Sequence, residues 1–279
     1  MRIAISNIAW DVVDDERVAA LLRENDIDAI DIAPGKYFPD PKATSHEDIA
    51  RVRKWWSDRG IAMTGMQALL FGTQGLNLFA SASVRDAMLE HFAALCRIGQ
   101  GLGATRLVFG SPRNRDRSGL DDATTTRIAT QFFRRLGDTA GAHGVSICLE
   151  PNPPCYNSNF MMNNEDTAAI IVAVDHPAIR MQLDTGAMTI NGEDPQDILS
   201  RFHHLIGHIH ASEPDLVTLG DGGCNHALIA ELLEARLPEQ IVSIEMLQTK
   251  SGSNLQAIER ALALAIRHYR RNDERGFGA

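Results

Sequence analysis

Residues 145–150 (VSICLE), 179–184 (IRMQLD), 205–210 (LIGHIH) and 241–247 (IVSIEML) decide the fold. Each run is short, largely apolar, and carries a metal-ligand type of side chain at or near its end: Glu150, Asp184, His210 and Glu245. Runs that are apolar nearly throughout, rather than on alternate residues, fit parallel strands covered on both faces. Toward the N-terminus four more runs have the same character: 2–7 (RIAISN), 27–33 (IDAIDIA), 61–69 (IAMTGMQAL) and 105–110 (TRLVFG).

Helical patterns fill the gaps. Ser45-His46-Glu47-Asp48 is a capping box ahead of Ile49, Val52 and Trp56, with Gly60 as the stop. Ser83 opens a pattern with Met88, Phe92, Leu95 and Leu102 on one face. Residues 122–143 carry Ile128, Phe132, Leu136 and Ala140, followed by Gly144. Shorter patterns lie at 15–24, 165–174, 195–202 and 225–233. A last one, from Ser253, turns Leu255, Ile258, Leu262, Ile266 and Tyr269 inward. Eight β-then-α units of about 35 residues use the 279 residues up as one domain, 1–279. Strict alternation predicts an α/β protein with a parallel sheet, and eight units fit a (β/α)8 TIM barrel better than an open doubly wound sheet. No GxGxxG follows the first run and no GxxxxGK[ST] occurs, so the usual dinucleotide and phosphate-loop signals are absent.

The chain has 27 Lys+Arg against 36 Asp+Glu, a net charge of −9, which argues against nucleic acid as a partner. No apolar run approaches the length of a membrane span, and MRIAISNIAW lacks a signal-peptide core. A cytoplasmic protein is expected. The four cysteines show no CxxC spacing and read as reduced thiols. A small-molecule partner fits this profile, and a homo-oligomer is compatible with it.

In such a barrel, chemistry sits at the C-terminal ends of the strands. Four successive late strands would place Glu150, Asp184, His210 and Glu245 at one level. One acid there is often a helix cap or an ion-pair partner. Three converging carboxylates repel, and a single divalent ion resolves that repulsion. Oxygen donors with one imidazole favour Mn2+, and Mg2+, Co2+ and Zn2+ are compatible.

The four residues are spaced by 34, 26 and 35, with LExN, QLDT, GHxHxxE and IE in order. This pattern resembles the xylose-isomerase-like barrel superfamily, in particular its sugar (phosphate) isomerases and epimerases and the ketose 3-epimerases. The resemblance implies that Glu150, Asp184, His210 and Glu245 hold the metal. It implies a carbohydrate substrate and proton transfer beside a carbonyl through a cis-enediolate, with Glu150 and Glu245 as the acid/base pair. It also admits a dehydratase of a cyclitol or keto acid, and a non-catalytic sugar-binding barrel is the remaining alternative. The DNA-repair branch of the superfamily needs further histidines and a basic face. Two positions depart from the epimerase pattern: Ala187 stands where a histidine is common, and residues 211–217 contain no arginine.

His208, Glu213, Asn152, Gln67, Arg113 and Arg115 are the candidate substrate-binding residues. His208 points the same way as His210 but one layer deeper, as substrate contact or as an interior hydrogen-bonded histidine. Glu213 orients a ligand or is a surface loop acid. Asn152 and Gln67 would reach the mouth. Arg113 and Arg115, in SPRNR, grip a phosphate or carboxylate or are solvated loop residues. Trp10, Phe71 and Phe160 form an apolar wall or simply pack.

Overall fold

Every strand is buried along nearly its whole length, because each is covered by helices outside and by other side chains inside. The computed structural model describes residues 1–270. The strands are β1 (Arg2–Ser6), β2 (Ala29–Ile32), β3 (Ala62–Met66), β4 (Arg106–Phe109), β5 (Ser146–Leu149), β6 (Ile179–Asp184), β7 (Ile206–Ser212) and β8 (Ile241–Glu245). They pair in parallel, in sequence order, and β8 closes on β1 to form a barrel. The surrounding helices are α1 (Asp15–Glu24), α2 (His46–Ser57), α3 (Ala82–Leu102), α4 (Asp122–Ala142), α5 (Asn164–Val174), α6 (Thr185–Asn191), α7 (Pro195–Phe202), α8 (His226–Arg236) and α9 (Asn254–Tyr269). The expected single (β/α)8 barrel is the observed architecture; the last nine residues of the expected 1–279 domain lie outside the described residues.

The helix patterns bury the faces they predict. The Ser45 hydroxyl accepts from Asp48 N and the Asp48 carboxylate from Ser45 N, completing the capping box of α2. Met88, Phe92, Leu95 and Leu102 of α3 are buried. Phe109 joins the layers: it stacks on Phe92 of α3 at 5.6 Å and meets Phe133 of α4 edge-on at 5.4 Å.

Two elements differ from expectation. β7 continues two residues beyond His210, because Ala211 and Ser212 still pair with Ile244 and Glu245. Helix α6 directly follows β6, although the segment TGAMTIN has little helical signal. Its N-cap is Asp184, whose Oδ1 accepts from Ala187 N at 2.6 Å. No helix among the described residues is long and apolar enough to cross a membrane.

Candidate metal centre at the barrel mouth

The last residues of the late strands converge. Asp184 ends β6 and lies opposite His210 of β7; Glu245 ends β8 opposite Ser212. Glu150 follows β5 directly, its N–H bonded to Phe109 O at 3.1 Å. Gly110, at the same level beyond β4, leaves room for it: a Cβ there would stand 1.9 Å from Glu150 Oε2. All four side chains are buried, and one donor atom from each lies within 4.8 Å of the others. Opposite donors around an octahedral ion with bonds of about 2.1 Å stand about 4.2 Å apart, so the set has the size of a single cation site.

Three of the donor atoms are also unengaged elsewhere. His210 Nδ1 lies 3.3 Å from Glu150 Oε1 and 3.2 Å from Glu245 Oε2, between two carboxylates and hydrogen-bonded to neither. Among the described residues neither ring nitrogen of His210, nor Glu150 Oε1, has a hydrogen-bond partner. Buried polar atoms left this way are costly, and a shared cation satisfies them together. The residues therefore fit a divalent metal.

Electrostatics agree. Burial, then the charges of Glu245 and Glu150, push the Asp184 carboxyl well above the usual carboxylate range. Burial also opposes ionisation of Glu245, but His210 and Gln67 outweigh it and hold this carboxyl below its ordinary value. Burial disfavours a charged His210, yet Glu245 and Glu150 raise it well above the usual imidazole value.

Neighbours fix these side chains. Gln67 Nε2 donates to Glu245 Oε1 at 2.6 Å. Ser212 Oγ donates to Asp184 Oδ2 at 2.8 Å and accepts from Gly186 N at 2.9 Å. Ser212 escaped the sequence reading; its only signal is a position two residues after His210, on the same face of the strand.

Of the remaining expected substrate contacts, Asn152 stays beside the Glu150 carboxylate and the others are engaged elsewhere. His208 is fully buried, and its Nε2 lies 2.6 Å from Asp31 Oδ2. A carboxylate only accepts, so this nitrogen carries the proton. Asp31 Oδ1 takes a second bond from Thr64 Oγ1 at 2.9 Å. His208 is thus committed to Asp31 in the barrel interior. Glu213 is neither a surface acid nor open to the mouth. It is 1% exposed and accepts from Gly220 N at 2.7 Å, Cys224 N at 2.9 Å and His226 Nε2 at 3.0 Å. Its job is to brace the β7–α8 loop. Arg115 is fully buried, against the expectation of a solvated loop arginine or an anion grip. It donates to Glu150 O at 2.8 Å and to Asn152 Oδ1 at 2.5 Å. Asn152 Nδ2 in turn faces Glu150 Oε2 at 3.5 Å. Arg113 is exposed and bonded to Thr73 O. Trp10 is fully buried, with Nε1 on Asp15 Oδ1 at 2.7 Å, so it packs rather than lining a site; Phe160 is 7% exposed and Phe71 90% exposed.

Solved structures share this fold at low identity. A D-psicose 3-epimerase crystallised with D-fructose superposes with a TM-score of 0.80 at 19% identity, over 96% of this chain and 99% of that one. A 3-keto-D-glucoside 4-epimerase from E. coli gives 0.78 at 18%, over 95% and 98%. A probable 3-DHS dehydratase from Bacillus anthracis gives 0.72 at 14%, over 97% and 100%. No curated protein sequence matches significantly. Residues 19–270 match the family described as xylose isomerase-like TIM barrel, most of the barrel's length. The chain belongs to the xylose isomerase-like TIM barrel family.

Proposed function

We propose that the protein is a divalent-metal-dependent epimerase or isomerase of a sugar or sugar phosphate, with Glu150, Asp184, His210 and Glu245 as ligands. The observation that carries this reading is the convergence of Glu150 and Glu245 on His210 Nδ1, within one cation-sized cluster. A bound dication, Mn2+ by preference, supplies positive charge to a carbonyl oxygen as the neighbouring C–H loses its proton. Glu245, kept ionised by His210 and Gln67, suits the proton acceptor. Glu150, from the other side, returns a proton to the opposite face; return to the adjacent carbon gives isomerisation instead. Asp184 is tied at both oxygens, to Ala187 N and Ser212 Oγ, and serves as a fixed ligand rather than an acid. Gln67 and Asn152 are the remaining polar side chains beside the two glutamates, and they take the role of substrate hydroxyl contacts.

The test is solvent-deuterium exchange. Mn2+-loaded protein is incubated in D2O with free and phosphorylated ketoses, and products are read by NMR and mass. Incorporation of one deuterium, lost in both Glu150→Gln and Glu245→Gln, is the expected result. Full exchange in both variants removes them as the acid/base pair. A product lighter by about 18 mass units identifies a dehydratase.

A further inference from the structure

Arg115 is the only lysine or arginine that is buried among the described residues. Burying a guanidinium costs several kcal/mol unless its donors are used, and burial pulls this one down to about 10. Its two terminal nitrogens each donate once, while Nε, also buried, has no partner among the described residues. One terminal nitrogen meets the carbonyl of Glu150 at 2.8 Å, one residue past the end of β5 at Leu149, where the Glu150 N–H still bonds Phe109 O of β4 but the carbonyl has left the ladder. The other meets Asn152 Oδ1 at 2.5 Å. Arginine only donates, so it fixes the oxygen end of that amide toward itself and the Nδ2 end toward the Glu150 carboxylate. Arg115 itself cannot drift. It ends the short turn Pro112–Arg115, which Asn114 anchors through Leu76 O at 2.7 Å and Leu78 N at 2.9 Å.

We propose that Arg115 is a positioning residue, a two-pronged clamp that sets the backbone of Glu150 and the amide of Asn152 so that the Glu150 carboxylate faces the cluster. The proposal rests on the reading of Glu150 as ligand and acid/base. The planar fork, not charge alone, is what the geometry uses, so Arg115→Lys is the informative variant. Mn2+ affinity is measured by calorimetry on the wild type, Arg115→Lys, Asn152→Ala and the double variant. Each single change weakens Mn2+ about 10-fold or more, as lost support of a ligand does. The double variant is no worse than the weaker single, because both changes break one clamp. At saturating Mn2+, exchange turnover of Arg115→Lys falls more than 10-fold with KM within about 3-fold of wild type. Wild-type affinity in Arg115→Lys, or additive losses in the double variant, overturns the clamp. A wild type that binds no dication sinks the metal reading instead. The clamp is then read from a crystal structure of Arg115→Lys. A displaced Glu150 or a flipped Asn152 amide supports it, and unchanged positions overturn it.

Discussion

A methyl group at Gly110 would stand 1.9 Å from Glu150 Oε2 and 3.0 Å from Glu150 Cδ, so Gly110→Ala must drive the carboxylate away. With one ligand turned aside, Mn2+ affinity by calorimetry falls at least about 10-fold while the far-ultraviolet circular dichroism stays native. Ser212→Ala tests the opposite end of the cluster. Asp184 keeps its bond from Ala187 N but loses the 2.8 Å bond from Ser212, and a similar loss of affinity, about 10-fold, is expected. Glu150, Asp184, His210 and Glu245 were legible in the sequence because each ends or nearly ends an apolar run, where barrel chemistry sits. Asp31 and His208 were not legible as a pair, since 177 positions separate them and only barrel closure brings them to 2.6 Å. Arg115 was misjudged for a related reason: a basic residue in a loop motif reads as solvated until the partners that bury it are known.

At the level of single elements, the β7–α8 loop hangs on Glu213. Burial pushes its carboxyl up, but His226 and the backbone N–H groups of Cys224 and Gly220 outweigh this and hold it at about 2, below its ordinary 4.5. A carboxylate with a lowered value stabilises the fold above its unfolded pKa and loses that contribution as pH falls through the folded one. The brace is therefore complete above pH 4.5 and fades toward pH 2. Glu213→Gln loses roughly 2 kcal/mol at pH 7, the usual worth of hydrogen bonds to a charged group. In urea denaturation, the gap to wild type narrows only below pH 4.5. Helix α6 belongs to this scale too. Its seven residues hold a glycine and two threonines, so no periodicity announces it, and it forms because Asp184 caps it. The α2 cap was legible, because all of its determinants lie within four residues.

For the whole molecule, β1 pairs with β8, and the amino group of Met1 reaches Tyr269 O at 2.9 Å, so the first and last described elements close one body. A ligand that binds only the closed barrel stabilises all of it. At a hundredfold excess over Kd, Mn2+ adds about 2.7 kcal/mol, which raises Tm by roughly 5–10 °C for a chain of this size. Scanning calorimetry with Mn2+, then with EDTA in excess, checks this. Asp184→Asn abolishes the shift, and an unaltered Tm in the wild type counts against the centre.

The sequence by itself determined the barrel. Eight apolar runs alternating with amphipathic segments leave few ways to bury both faces of every strand, and hydrophobic periodicity is a local property. It also marked the four donor residues, since the end of a strand is a place visible in one dimension. Only the tertiary structure decided what surrounds them. Whether Arg115 or His208 meets solvent, substrate or a buried partner depends on contacts between units, Arg115 with Asn152 of the neighbouring unit and His208 with Asp31 across the ring. Those contacts join residues far apart in the chain, and a hydrogen bond's cost or gain is set by burial that no single segment creates.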